Sequence, residues 1–87
     1  MVQKRRQQII TWVQQYFSDY FHYPIEHFTL DLDLRSDLQF TSQSLVDVGR
    51  EINKSQFTPA RVTPKEIVDC ITIGDIVNLI WNLEQSK

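Results

Sequence analysis

The first twenty residues constrain this chain more than any other stretch. Val2, Ile9, Ile10, Val13, Tyr16, Phe17 and Tyr20 recur at spacings that place them along one face of a helix. Gln7, Gln8, Gln14 and Gln15 fall mostly on the other faces. Pro24, which has no amide hydrogen to donate, bars continuation. A stripe of that length has to be covered by something. One segment, Phe28-Thr29-Leu30-Asp31-Leu32-Asp33-Leu34, alternates with the period of a strand, but no second strand pattern exists to pair with it. It therefore reads as an extended loop whose Phe28, Leu30, Leu32 and Leu34 pin it to helices.

Three further helix signals follow. A second helix is expected from about Ser42 to Lys54, with Leu45, Val48, Gly49 and Ile52 buried and Val46 at the edge. Gln43, Asp47, Arg50 and Lys54 form its wet face. Phe57 and Pro59 lie in a linker that ends at Val62. Thr63-Pro64-Lys65-Glu66 then announces a short third helix, because Thr63 can cap it, Pro64 suits its first position and Glu66 can close a capping box. A second start signal, Thr72-Ile73-Gly74-Asp75, opens a fourth helix carrying Ile73, Ile76, Val77, Ile80 and Leu83. The expected fold is all-α: a small four-helix bundle with three longer helices, a short third one and a long first connection. With 87 residues, 41% of them hydrophobic, the chain can build one modest core, so residues 1–87 read as a single domain.

Composition removes several function classes. A net charge of -2 lacks the basic excess of a nucleic-acid binder, and Lys4-Arg5-Arg6 is a short run diluted by glutamines that reads as a solvated helix end. Arg50 and Lys54 are too few for a DNA recognition helix. Cys70 is the sole cysteine, so no internal disulfide can form; a reducing, cytoplasmic setting is expected, with Cys70 as a small core residue. Neither a signal-peptide core nor a segment of membrane-spanning length is present, and the chain reads as a free-standing soluble module. His22 and His27 can be drawn into a triad with Ser42 on paper, but both lie in the long loop, where solvated or loop-stapling roles are the ordinary ones. His22, His27 and Cys70 lack recognised metal-ligand spacing, and the isolated Gly49 and Gly74 make no phosphate cradle.

The polar run Thr41-Ser42-Gln43-Ser44 between two hydrophobic segments asks for a reason. Thr41 at the N-cap can accept a bond from a first-turn amide. Ser42 is then the first helical residue, where free amides and the positive end of the helix dipole gather, so a phosphodiester on its hydroxyl would be favoured. Helix physics alone favours a plainer reading, in which Thr41 and Ser42 merely share capping, because capping serines are common. Ser44 points to the polar side, and Ser36 lies in the preceding loop.

The segment Asp37-Leu38-Gln39-Phe40-Thr41-Ser42-Gln43-Ser44-Leu45-Val46-Asp47-Val48 resembles, without a gap, the D-L-G-(apolar)-D-S-L-x-x-V-E-L motif of the acyl carrier protein family. Thr72-Ile73-Gly74-Asp75-Ile76-Val77-Asn78-Leu79-Ile80 resembles that family's fourth-helix pattern T-V-G-D-A-V-x-Y-I, and Leu30–Leu34 its preceding loop. The likeness runs from about residue 5 to residue 83. It implies a four-helix carrier in which a phosphopantetheinyl transferase moves 4'-phosphopantetheine from coenzyme A to Ser42. The arm would hold acyl, polyketide or aminoacyl groups as thioesters, in polyketide, nonribosomal peptide or related lipid biosynthesis. Such a carrier is a monomer with no catalytic residues of its own. It presents a recognition face, here Thr41, Gln43, Asp47, Arg50 and Lys54, to a ketosynthase, acyltransferase or adenylation enzyme. Three positions depart from the motif: Gln39 replaces glycine, Thr41 aspartate and Gln43 an exposed apolar residue. Asp47 and Glu51 share the second helix with Arg50 and Lys54, so its charge is nearly balanced. Gly49 has two readings, close helix packing or room for a bound chain. The alternative to a carrier is an unmodified four-helix module that docks through the same helix.

Overall fold

The computed structural model describes residues 2–86, with side chains from Lys4 onward. Helix α1 spans Val2–Phe21, α2 Ser42–Lys54, α3 Pro64–Val68 and α4 Ile73–Gln85; a short 3-10 turn, Ile25–His27, follows α1. The described residues form an all-helical bundle of four helices, three long and the third short. α1 packs against α4, α2 against α3, and α3 against α4.

The stripe on α1 works largely as its spacing requires. Ile9, Val13 and Phe17 are fully buried, while Ile10 and Tyr16 are half-buried. Val2 lies outside the described side chains. Tyr20 departs from expectation and is 55% exposed. Buried Phe40 fills the space beneath the last turn of α1, and the Tyr20 ring lies at 62° to it, 5.4 Å away. That position keeps the phenol hydroxyl in reach of water, the usual compromise for a tyrosine. The helix stops at His22, whose backbone is left-handed (φ 62°) and whose amide donates to Ser18 O at 2.8 Å. This is an ordinary αL ending, with Pro24 close behind.

The segment with strand-like period is extended loop, and its partner is the entrance to α4. Leu34 N donates to Ile71 O, Ile73 N to Leu32 O and Gly74 N to Leu30 O, at 2.8, 3.1 and 2.7 Å. Asp33 and Thr72 form a single antiparallel bridge. Phe28 and Leu34 are fully buried, Leu30 and Leu32 partly so. Glycine at position 74 allows this close approach, because a Cβ there would sit 3.0 Å from Leu30 O and force the loop to shift.

Local chemistry fixes the remaining helix starts. Thr63 Oγ1 accepts from Glu66 N while Glu66 Oε1 accepts from Thr63 N, and Thr72 and Asp75 repeat the arrangement for α4. Leu45, Val48, Gly49 and Ile52 are the buried residues of α2, and Val46 lies at its edge. A Cβ on Gly49 would meet Val62 Cγ2 at 3.2 Å and Ile67 Cγ2 at 3.4 Å, so close packing against the linker and α3 occupies that space. Asn53 ties the linker down through paired bonds with the Val62 amide and carbonyl, at 2.8 and 2.9 Å. Cys70 is buried in the core, and burial pushes its thiol pKa up to about 11. No helix among the described residues is long and apolar enough to cross a membrane.

Candidate functional site

The candidate site is the start of α2, and the loop before it sets its geometry. Asp33 accepts the amides of Arg35 and Ser36 through Oδ1, at 2.9 and 2.8 Å. Asp37 Oδ2 reaches back to the Asp33 amide at 2.9 Å. Hydrogen bonds from the Ser36 amide above all, then the Ser36 side chain and Arg35, hold the Asp33 carboxyl below its usual range. The tight turn so formed is anchored on buried Leu34. Leu34 O accepts from Phe40 N at 2.9 Å, which closes the loop just before α2. Gln39, inside this closure, has a left-handed backbone with φ 59°. An L side chain other than asparagine or aspartate rarely occupies that region, whereas glycine does so without strain.

Thr41 is the N-cap, as its position predicted. Its backbone is extended, its Oγ1 accepts from Ser44 N at 3.1 Å, and Ser44 Oγ lies 3.1 Å from the same hydroxyl. The Ser42 hydroxyl makes a different bond. It is exposed at the first position of α2 and accepts from Arg35 Nη2 at 3.1 Å. The same nitrogen donates to Val68 O, at the end of α3, at 3.3 Å. The loop, the start of α2 and the end of α3 thus meet at one guanidinium.

The expected recognition residues lie along the exposed arc beyond Ser42. Gln43 Nε2 donates to Asp47 Oδ1 at 3.2 Å, and Arg50 Nη1 contacts the same oxygen at 3.3 Å. Lys54 stands 3.7 Å from Glu51. Each anion on this face therefore has a cation one turn away, and the arc is a row of exposed, locally neutralised pairs. Thr41 and Gln43 are also exposed. Among the described residues no hydrogen bond joins His22 or His27 to Ser42, and His27 rests against the rings of Tyr23 and Phe28, at centroid distances of 5.1 and 5.2 Å.

Arg35 is the residue that sequence reading missed. One signal was available, since it is the only lysine or arginine between Arg6 and Arg50. Its reach to Ser42, however, depends on a loop closure that no local pattern encodes. Comparison with family models, curated proteins and solved structures finds no match for this chain.

Proposed function

We propose that this protein is a carrier of acyl-carrier-protein type whose Ser42 bears a 4'-phosphopantetheine arm. The observation that carries the reading is the division of labour at the α2 start. Thr41 takes the cap, and the Ser42 hydroxyl stands exposed beside a guanidinium at 3.1 Å. A serine that merely caps would bond its own helix. An exposed hydroxyl next to a fixed cation is instead suited to becoming a phosphodiester, whose charge the cation offsets. The left-handed Gln39 adds support, because it stands where the resembled motif carries glycine.

The residues fit the group. Ser42 Oγ would form the ester bond to phosphorus, with Arg35 alongside to meet the anionic oxygens and the first-turn amides of α2 behind. When bound, the arm supplies a terminal thiol that holds cargo as a thioester. In the transfer, Ser42 Oγ bonds to the phosphorus of the phosphopantetheine half of coenzyme A. The bond to the adenosine bisphosphate half breaks, and the hydroxyl proton passes to a base on the transferase. The carrier then acts by tethering, which raises the local concentration of cargo at each partner enzyme. The neutralised face of α2 points away from strongly basic fatty-acid enzymes and towards a dedicated polyketide, peptide or lipid pathway.

Intact mass after incubation with coenzyme A and a broad-specificity phosphopantetheinyl transferase tests the proposal. The parent should gain one phosphopantetheine, as should Ser36→Ala and Ser44→Ala, while Ser42→Ala should gain none. A parent that gains no mass overturns the reading in favour of an unmodified docking module.

A further inference from the structure

We infer that Arg35 is the positioning residue for the phosphodiester on Ser42, holding the base of the arm against the junction of α2 and α3. The inference rests on the carrier reading of Ser42. Arg35 uses one nitrogen, Nη2, for both of its side-chain contacts: Ser42 Oγ at 3.1 Å and Val68 O at 3.3 Å. A guanidinium carries five N–H donors in a planar fork. The hydrogens on Nε and Nη1 find no acceptor among the described residues, so donors remain for further oxygens. Converting Ser42 to a phosphodiester adds anionic oxygens two bonds from the atom that Nη2 already touches, Ser42 Oγ. Arginine then gains a charge-assisted bond at that point without moving the loop.

The fork is held in place from behind. The Asp33 carboxylate accepts the backbone amides of Arg35 and Ser36, so it fixes the turn, and its attraction for the Arg35 charge involves no hydrogen bond to the guanidinium among the described residues. Leu34, the preceding residue, is fully buried and bonded to Ile71 O, which ties the Arg35 backbone to the entrance of α4. The Val68 contact fixes the other side of the same nitrogen on α3. Holding the first oxygens of the arm at this three-way junction sets the direction in which the arm leaves the protein.

The experiment compares apo and modified forms of the parent, Arg35→Ala and Arg35→Lys, all loaded by the same broad-specificity transferase and checked by intact mass. Loss of the Val68 contact affects apo and modified protein alike, so a purely structural role cancels in the difference between them. At low salt, modification should raise Tm more in the parent than in Arg35→Ala by about 2–5 °C, with Arg35→Lys in between. The gap should close in about 1 M salt, where an exposed ion pair is screened. In the parent alone, the Arg35 Nε–H resonance should move on modification and its exchange with water should slow. Equal Tm changes in parent and Arg35→Ala, or an unmoved Nε–H resonance in modified parent, overturn the inference and leave the carrier reading intact. A parent that takes no arm overturns both.

Discussion

Glu84→Gln is the most informative single change to the fold, because it removes a charge and almost nothing else. Arg5 Nε and Nη2 donate to the two carboxylate oxygens of Glu84 at 3.0 and 2.6 Å. Nη2 also reaches Phe57 O at 3.0 Å, and the guanidinium lies 4.2 Å above the Phe57 ring, itself stacked on Trp12. The buried Thr58 hydroxyl donates to Glu84 Oε2 and accepts from the Ala60 amide at 3.1 Å. One carboxylate thus clasps α1, the α2–α3 linker and α4. A hydrogen bond between charged groups contributes about 1.5–3 kcal/mol and a neutral one about 0.5–1.5, so each of the two bonds to Arg5 should lose about 1 kcal/mol. The amide also turns two hydrogens towards donors, which leaves a further mismatch of similar size. Breaking a wholly buried pair costs about 3–5 kcal/mol. Here the Arg5 side chain is 29% exposed against 9% for Glu84, so water can rehydrate the cation. A loss of about 2–3 kcal/mol is therefore expected, or about 10–20 °C in Tm for a domain of this size. Urea unfolding followed by tryptophan fluorescence measures it, and a cycle with Arg5→Gln isolates the pair. A loss under about 1 kcal/mol, or no coupling in the cycle, would show that the clasp is incidental.

Three other expectations follow from the same geometry. Gly74→Ala should destabilise by about 1–2 kcal/mol, because its Cβ meets the Leu30 carbonyl at 3.0 Å, whereas Gly49→Ala should stay within about 1 kcal/mol of the parent, the helix-propensity gain offsetting displacement of the Val62 methyl at 3.2 Å; thermal melts rank the two. The Cys70 thiol, raised by burial from about 9 to about 11, should resist alkylation at neutral pH until the protein unfolds; since the fold favours its protonated form, that stabilisation is complete below the ordinary thiol pKa and disappears as pH rises towards 11, which urea titrations across that window would detect. Thr41→Asp combined with Gln43→Leu should speed modification of Ser42 by a strict fatty-acid-type transferase by about tenfold, and by less with a broad-specificity enzyme; equal rates for parent and variant with the strict enzyme would show the departures to be neutral.

What could be read from the sequence divides by how local its cause is. The starts of α2, α3 and α4 rest on residues no more than four apart, such as Thr63 with Glu66 and Thr72 with Asp75, and all three were legible. The extended character of residues 28–34 was also legible, by elimination, but not its partner. That partner is the backbone at Ile71–Gly74, some forty residues on, and only closure of the bundle brings it there. Tyr20 shows the same limit from the other side. Its spacing puts it on the apolar face, yet its exposure is decided by where Phe40 lands, and Phe40 is positioned by its bond to Leu34.

The site follows the same division. Thr41 as a cap was a local inference and held, which settles the question of shared capping: the Ser42 hydroxyl bonds Arg35 instead of its own helix. Arg35 could not be assigned to Ser42 from a separation of seven residues, because most loop conformations would carry a long, flexible cation into water. Here the turn at Asp33–Asp37, the burial of Leu34 and the closure at Phe40 remove that freedom before the side chain is considered. Side-chain entropy is the main cost of an exposed ion pair. A guanidinium already held at Ser42 Oγ and Val68 O has met part of that cost, so an anion formed on Ser42 should gain more from it than from a free arginine elsewhere on the surface.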